Sequence, residues 1–240
     1  MSNRILVIQH NLDDHLNELA GPLLAAGLEI ETWDVENGVL HSGNIDGFAG
    51  IISLGAIAGV LDESEHAWMP VERRIMQQAV EKGVPLLGIC FGSQLLASVA
   101  GATITKTPTP EVGWTQVEML ATDSSDRVIA ALGSDPEVFH FHYDTFDAPS
   151  ALDLLGITGS VNQVFRVGAK AWGMQFHIEV GPAAMHSWFA TYASAFSKLG
   201  INLDEQKAIT QKNWQAHQAM SHRVAGAFAD EVNAFASQSS

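Results

Sequence analysis

Pro85 to Ala97 reads PLLGICFGSQLLA and contains the only cysteine of the chain. An apolar run enters from one side, a helix-like run leaves on the other, and the thiol sits between Gly88 and Gly92. G-x-C-x-G has the form of a nucleophile elbow, a sharp strand-to-helix turn that strains the backbone of its central residue. A Cβ at either glycine would clash inside so tight a turn. A thiol placed there lies at a helix N-terminus, where the dipole and free N–H groups favour thiolate. The N–H of Phe91 is then a candidate oxyanion donor. On this stretch alone, a buried cysteine packed as a small hydrophobe remains the alternative.

Outward from the elbow, strands and helices alternate. RILVIQ (4–9), LEIETWDV (28–35), FAGIISLG (48–55) and GVPLLGI (83–89) read as short buried strands. Helical spacing separates them, with Val71, Ile75 and Ala79 forming one face of a helix over 67–82. After the elbow, SQLLASVAG reads as a helix closed by Gly101. This pattern predicts an α/β fold with an open, mostly parallel sheet and helices on both faces. Beyond Ala102, short strands separated by turns predict a small antiparallel addition and one returning core strand. Met220, Val224, Phe228 and Val232 fall four apart, which predicts an amphipathic tail helix. No linker or repeat divides the chain. The expected organisation is one domain over 1–200, with 201–240 as a helical extension packed on it.

Bulk composition narrows the function classes. At 240 residues and 47% hydrophobic, the chain can bury a substantial core. Its apolar runs are shorter than the ~20 residues of a membrane helix, and the start carries no signal-peptide core. One cysteine excludes an internal disulfide, so a reducing cytoplasm is the expected location. Twelve basic against 27 acidic residues argue against nucleic-acid binding; the acidity reads as solubility, with a docking face for a basic partner as the lesser alternative.

A thiol nucleophile needs a base. GMQFHIEV (173–180) reads as a strand in which His177 and Glu179, two apart, point the same way. His177 is the candidate general base and acid, and Glu179 the carboxylate that orients it. H-x-E alone is a common tripeptide. Joined to the elbow, it points to an enzyme.

Together these blocks resemble the class I (triad) glutamine amidotransferases, over roughly residues 45–180 in order and spacing. Within that family the look is that of the amidotransferase half of GMP synthase and its free-standing relatives. The resemblance implies a flavodoxin-like sheet and hydrolysis of the glutamine side-chain amide through a γ-glutamyl thioester, releasing ammonia. It assigns Cys90 as nucleophile, His177 as base, Glu179 as its partner and Gln94 as a residue holding glutamine. IISLGAIAGV (51–60) stands where the family has a Gly-Gly-Pro-type turn, so Gly55 and the Ala56 N–H join Phe91 as the expected oxyanion hole. FHFHYDTF (139–146) matches a substrate loop, which places His142, Tyr143 and Asp144 at the amino-acid end of the substrate. PEVGW (110–114) resembles a family turn, with core packing the preferred role for Trp114.

His140 and His142 lie two apart and could form part of a metal site, but no third ligand is recognisable; packing and loop hydrogen bonds are expected, with no metal and no cofactor. His10, Trp33, His66 and Trp68 carry no motif, although Trp68 falls where a substrate rim could form. His186, His217 and His222 read as surface residues of the tail.

No Walker-type loop is present and the residues after Gly200 are too few for a nucleotide-binding domain, so a separate synthetase partner is expected. The alternative is a hydrolase with the same triad acting on another γ-glutamyl small molecule. A third reading, a non-catalytic regulatory protein, leaves the joint presence of Cys90, His177 and Glu179 without a reason.

Overall fold

A computed structural model describes residues 3–120 and 125–238. In chain order the elements are β1 (Arg4–Gln9), α1 (Ala20–Ala25), β2 (Glu29–Asp34), β3 (Gly50–Ser53), α2 (Met69–Lys82), β4 (Leu86–Ile89) and α3 (Phe91–Val99). Then follow β5 (Ile104–Gln116), β6 (Glu118–Met119), α4 (Arg127–Ala130), β7 (Glu137–Phe146), β8 (Leu152–Thr158), β9 (Val161–Val167) and β10 (Ala171–Met174). The chain ends in α5 (Pro182–Thr191), α6 (Ala193–Lys198) and α7 (Leu203–Gln238).

Eight strands form one sheet in the order β2-β1-β3-β4-β10-β9-β8-β6. The first five are mutually parallel and have the flavodoxin-like order; β9, β8 and β6 continue the sheet antiparallel. The apolar strands split their residues by parity. Ile5, Val7, Ile52, Leu87 and Ile89 face a core that includes α7, whereas Leu6, Ile8, Ile51 and Leu86 face the side covered by α2 and α3. Both faces are thus buried, as a parallel sheet requires.

β5 and β7 pair separately as an antiparallel ribbon. PEVGW therefore lies inside a strand, just past a register irregularity between Lys106 and Glu111, and is not a turn. Trp114 packs with Phe139, Trp188 and Phe196 in a third apolar cluster, the core role expected of it. Met220, Val224, Phe228 and Val232 line the buried side of α7. His217 is on that side too, edge-on to Trp114 at 5.2 Å and buried, which corrects its expected surface position. Burial holds its pKa down at about 4. Among the described residues, no helix is long and apolar enough to cross a membrane.

Candidate active site

The parallel strands β1, β3, β4 and β10 end on the same edge, the side on which open α/β sheets bind ligands. Their continuations bring His10, Gly55, Cys90 and His177 together.

Cys90 adopts φ +50° and ψ −106°, backbone angles a residue with a side chain holds only under constraint. The constraint comes from both neighbouring strands. The Cys90 N–H donates to Met174 O at 2.9 Å, and the Gly92 N–H donates to Leu54 O at 3.1 Å. A Cβ on Gly92 would lie 2.3 Å from Ser53 Oγ, and one on Gly88 would lie 2.6 Å from the Gly92 carbonyl oxygen. Close backbone approach fixes both glycines. Phe91 opens α3, so its N–H is the first helical amide beside the thiol.

β10 stops at Met174, short of the strand expected through Val180. Its parallel partner β4 ends opposite, at Ile89, where the elbow turns away, so on that side no strand edge remains. Beyond Met174 the Gln175 N–H donates to Gln163 O at 2.8 Å, the His177 N–H donates to Phe139 O at 2.9 Å in an isolated bridge, and the Ser221 hydroxyl donates to Ile178 O at 2.6 Å. His177 Nδ1 lies 2.5 Å from Glu179 Oε1, with both side chains buried. Burial alone would depress the His177 pKa. The Glu179 carboxylate and the Cys90 side chain outweigh it and raise the pKa well above the ordinary value. Trp188 packs edge-on against the imidazole at 4.8 Å.

Residues that carry no motif complete this surround. His10 is buried, with Nδ1 2.9 Å from Gly55 O and Nε2 2.8 Å from Glu72 Oε2. Glu72 is also buried and accepts the Ser53 hydroxyl at 2.6 Å. The Ile57 N–H donates to Asn11 Oδ1 at 2.9 Å. Both ends of the Gly55–Ala56–Ile57 turn are thereby fastened, and the Ala56 N–H lies between the anchors. Trp68 packs against His10 at 4.8 Å, behind the turn.

Asp14 is a further addition. Burial, followed by the neighbouring Glu179 carboxylate, pushes its pKa up to about 8. A Cβ on Gly55 would lie 2.4 Å from Asp14 Oδ2, so that glycine too is fixed by close approach.

The residues expected at the substrate's amino-acid end line one cavity with Cys90: Gln94, His142, Tyr143 and Asp144. Gln94 Nε2 donates to Gln175 Oε1 at 3.1 Å and to Asp144 O at 3.4 Å. His142 Nδ1 lies 3.0 Å from Asp144 O, and its Nε2 3.0 Å from Glu111 Oε2. Lys106 pairs with Asp144 at 2.8 Å. Glu111 is opposite His142 on β5 and, with His140, brings three ligand-type side chains together, where the sequence offered only two. The observed contacts are hydrogen bonds that stiffen the loop. Burial first, and then the charge of His142, lower the His140 pKa to about 3.

Comparison with known proteins agrees with this geometry. A GMP synthase of Porphyromonas gingivalis is 32% identical over 140 residues, 57% of this chain and 26% of that protein. One of Aeropyrum pernix is 33% identical over 118 residues, 46% of this chain and 22% of that protein. The chain thus spans about a quarter of the length of these curated relatives. Among solved structures, a glutamine amidotransferase from Thermotoga maritima superposes with a TM-score of 0.85 at 25% identity, covering 95% of this chain and 98% of that one. A glutamine amidotransferase from Methylobacillus flagellatus shares the fold, with a TM-score of 0.86 at 19% identity and 96% of each chain covered. The family model for class-I glutamine amidotransferases matches residues 19–191, and the chain belongs to that family.

Proposed function

We propose that this chain hydrolyses the side-chain amide of glutamine through a γ-glutamyl thioester on Cys90. The observation that carries the reading is the strained Cys90 elbow facing a His177 whose Nδ1 is 2.5 Å from Glu179. In it, the Cys90 thiolate attacks the γ-carbonyl carbon. The Phe91 and Ala56 N–H groups, the latter at the Gly55 turn, bind the oxyanion. His177 gives its proton to the departing nitrogen and then takes one from the water that cleaves the thioester. Glu179 holds the imidazole tautomer.

The cavity with Gln94 suits an α-amino acid. Asp62 and Asp144 offer carboxylates to its ammonium group and Lys106 a cation to its carboxylate. Gln94, with the loop residues His142, Tyr143 and Asp144, positions that end. The similarity to GMP synthases supports a role in supplying ammonia to a separate synthetase.

The test is intact-protein mass after exposure to a glutamine-derived diazoketone, with Cys90→Ser alongside. A single adduct that requires Cys90 and is suppressed by excess glutamine is expected. An adduct that glutamine does not suppress overturns the assignment of glutamine.

A further inference from the structure

His140 and His142 leave β7 on the same side, two residues apart, and the register of β5 puts Glu111 directly opposite His142. His140 Nδ1 lies 3.4 Å from His142 Nε2, and that second nitrogen lies 3.0 Å from Glu111 Oε2. One donor atom from each of the three side chains falls within 4.8 Å of the others. A tetrahedral ion with ligands at about 2.0–2.1 Å holds its donors about 3.3 Å apart. The two measured separations are close to that spacing.

A proton does not account for the cluster. His142 Nδ1 lies 3.0 Å from Asp144 O, and because a carbonyl only accepts, that nitrogen is the N–H. In the neutral ring Nε2 then carries a lone pair, aimed at a carboxylate oxygen and a second imidazole. A proton added at Nε2 points along one direction and serves one neighbour. A cation among the three atoms serves all of them.

The surroundings are those of a metal site. Ligating histidines donate their other N–H to a carbonyl or carboxylate, and ligating carboxylates are themselves hydrogen-bonded. Here Asp144 O supplies the first contact, and Gln163 Nε2, 2.6 Å from Glu111 Oε2, supplies the second. Gln163 is fully buried, and the oxygen of the same amide has no partner among the described residues. A fourth donor thus stands beside the carboxylate. Burial keeps His140 neutral, the form that ligates. His142 borders the cavity that opens at Cys90, and the Glu111 side chain is 17% exposed, so an ion has a way in.

We infer that Glu111, His140 and His142 bind one divalent transition-metal ion of the Zn²⁺ type, which ties β5 to β7 at the base of the loop carrying Tyr143 and Asp144. Two imidazoles disfavour Mg²⁺ and Ca²⁺, which take oxygen donors. The inference does not rest on the chemistry proposed for Cys90.

The experiment titrates the metal-stripped full chain with Zn²⁺ by calorimetry and with Co²⁺ by absorption, for wild type, Cys90→Ser, Glu111→Ala and His140→Leu. Wild type and Cys90→Ser should bind one Zn²⁺ alike, melt at a higher temperature with it, and keep it in excess Mg²⁺. Co²⁺ should give the intense visible bands of a four-coordinate site without the near-ultraviolet band of a thiolate ligand. Loss of an outer contact costs about 10–100-fold in affinity, so loss of a ligand in either other variant should cost at least about a hundredfold. Glu111 is partly exposed, so Glu111→Ala provides a folded variant, checked by circular dichroism, should His140→Leu fail to fold. Three results overturn the site: no Zn²⁺ bound by wild type, full affinity in folded Glu111→Ala, or binding lost with Cys90→Ser.

Discussion

His10 Nδ1 lies 2.9 Å from the carbonyl oxygen of Gly55, and its other ring nitrogen lies 2.8 Å from buried Glu72. Burial disfavours charge on this ring, but Glu72 outweighs it and the His10 pKa is raised. The hydrogen bond fixes the Gly55–Ala56 peptide plane. Because a trans peptide points its N–H opposite its C=O, a carbonyl held by His10 sends the Ala56 N–H the other way. His10 is thus a positioning residue for an amide that the proposed chemistry uses on the oxyanion.

Replacing His10 with Gln tests this. Deleting an oxyanion donor outright costs about 10²–10³ in kcat, so misaligning one should cost roughly tenfold to a hundredfold. KM for glutamine should change little, since the Gln94 side of the site is untouched. A loss confined to KM, or an unchanged kcat in a folded variant, removes His10 from the oxyanion turn.

Within the triad, the losses should be graded. Cys90→Ser and His177→Ala should each lower kcat by at least about a thousandfold, because nucleophile or base is gone. Glu179→Ala should cost less, since the imidazole stays and only its orientation and proton affinity suffer. Steady-state kinetics of the three folded variants, checked by circular dichroism, settle the order. Full activity in any of them refutes the assignment.

The elbow was legible in the sequence because its geometry is local: two glycines, a strand before and a helix after are all that so tight a turn demands. The parallel sheet was legible for a similar reason, since both faces of β1, β3 and β4 must be apolar. His10, Glu72 and Asp14 were not. No spacing links them to Cys90, and they meet it only because β1 and α2 pack beside β3. His217 read as a surface residue because a single histidine in a helical repeat gives no sign of which neighbours cover it; here they are Trp114 and Trp214. The strand predicted through Val180 failed at Met174 because pairing depends on the partner, and β4 ends at the elbow. Glu111 was visible within PEVGW, but its place opposite His142 needs the register of β5 on β7.

Two glycines make a paired stability test. Gly92→Ala puts a methyl 2.4 Å from the Ser53 carbonyl oxygen, a backbone atom that cannot swing aside. It should destabilise by about 1–3 kcal/mol or more. Gly226 lies within α7 with nothing within 4 Å of its added Cβ. Gly226→Ala should stabilise by about 0.5–1 kcal/mol through helix propensity alone. Urea denaturation of both variants reads the difference, and equal midpoints contradict it.

Asp14 gives stability a pH dependence whose sign can be worked out. In the folded state its pKa is about 8, against an ordinary value of 3.8, mainly through burial and then the charge of Glu179. His177, His10 and Asp13 also face it; the two histidines act in the opposite direction and do not cancel the shift. Between those values the folded protein holds a proton that the unfolded chain has released. Its contribution is therefore fully present below about pH 4 and is lost as pH rises toward 8. Above that, a charged carboxylate must stay buried beside Glu179. Asp14→Asn cannot ionise and should lose this slope, so its melting temperature should exceed that of the wild type by a margin that grows from pH 5 to pH 9. A constant margin across that range would mean Asp14 does not titrate within it.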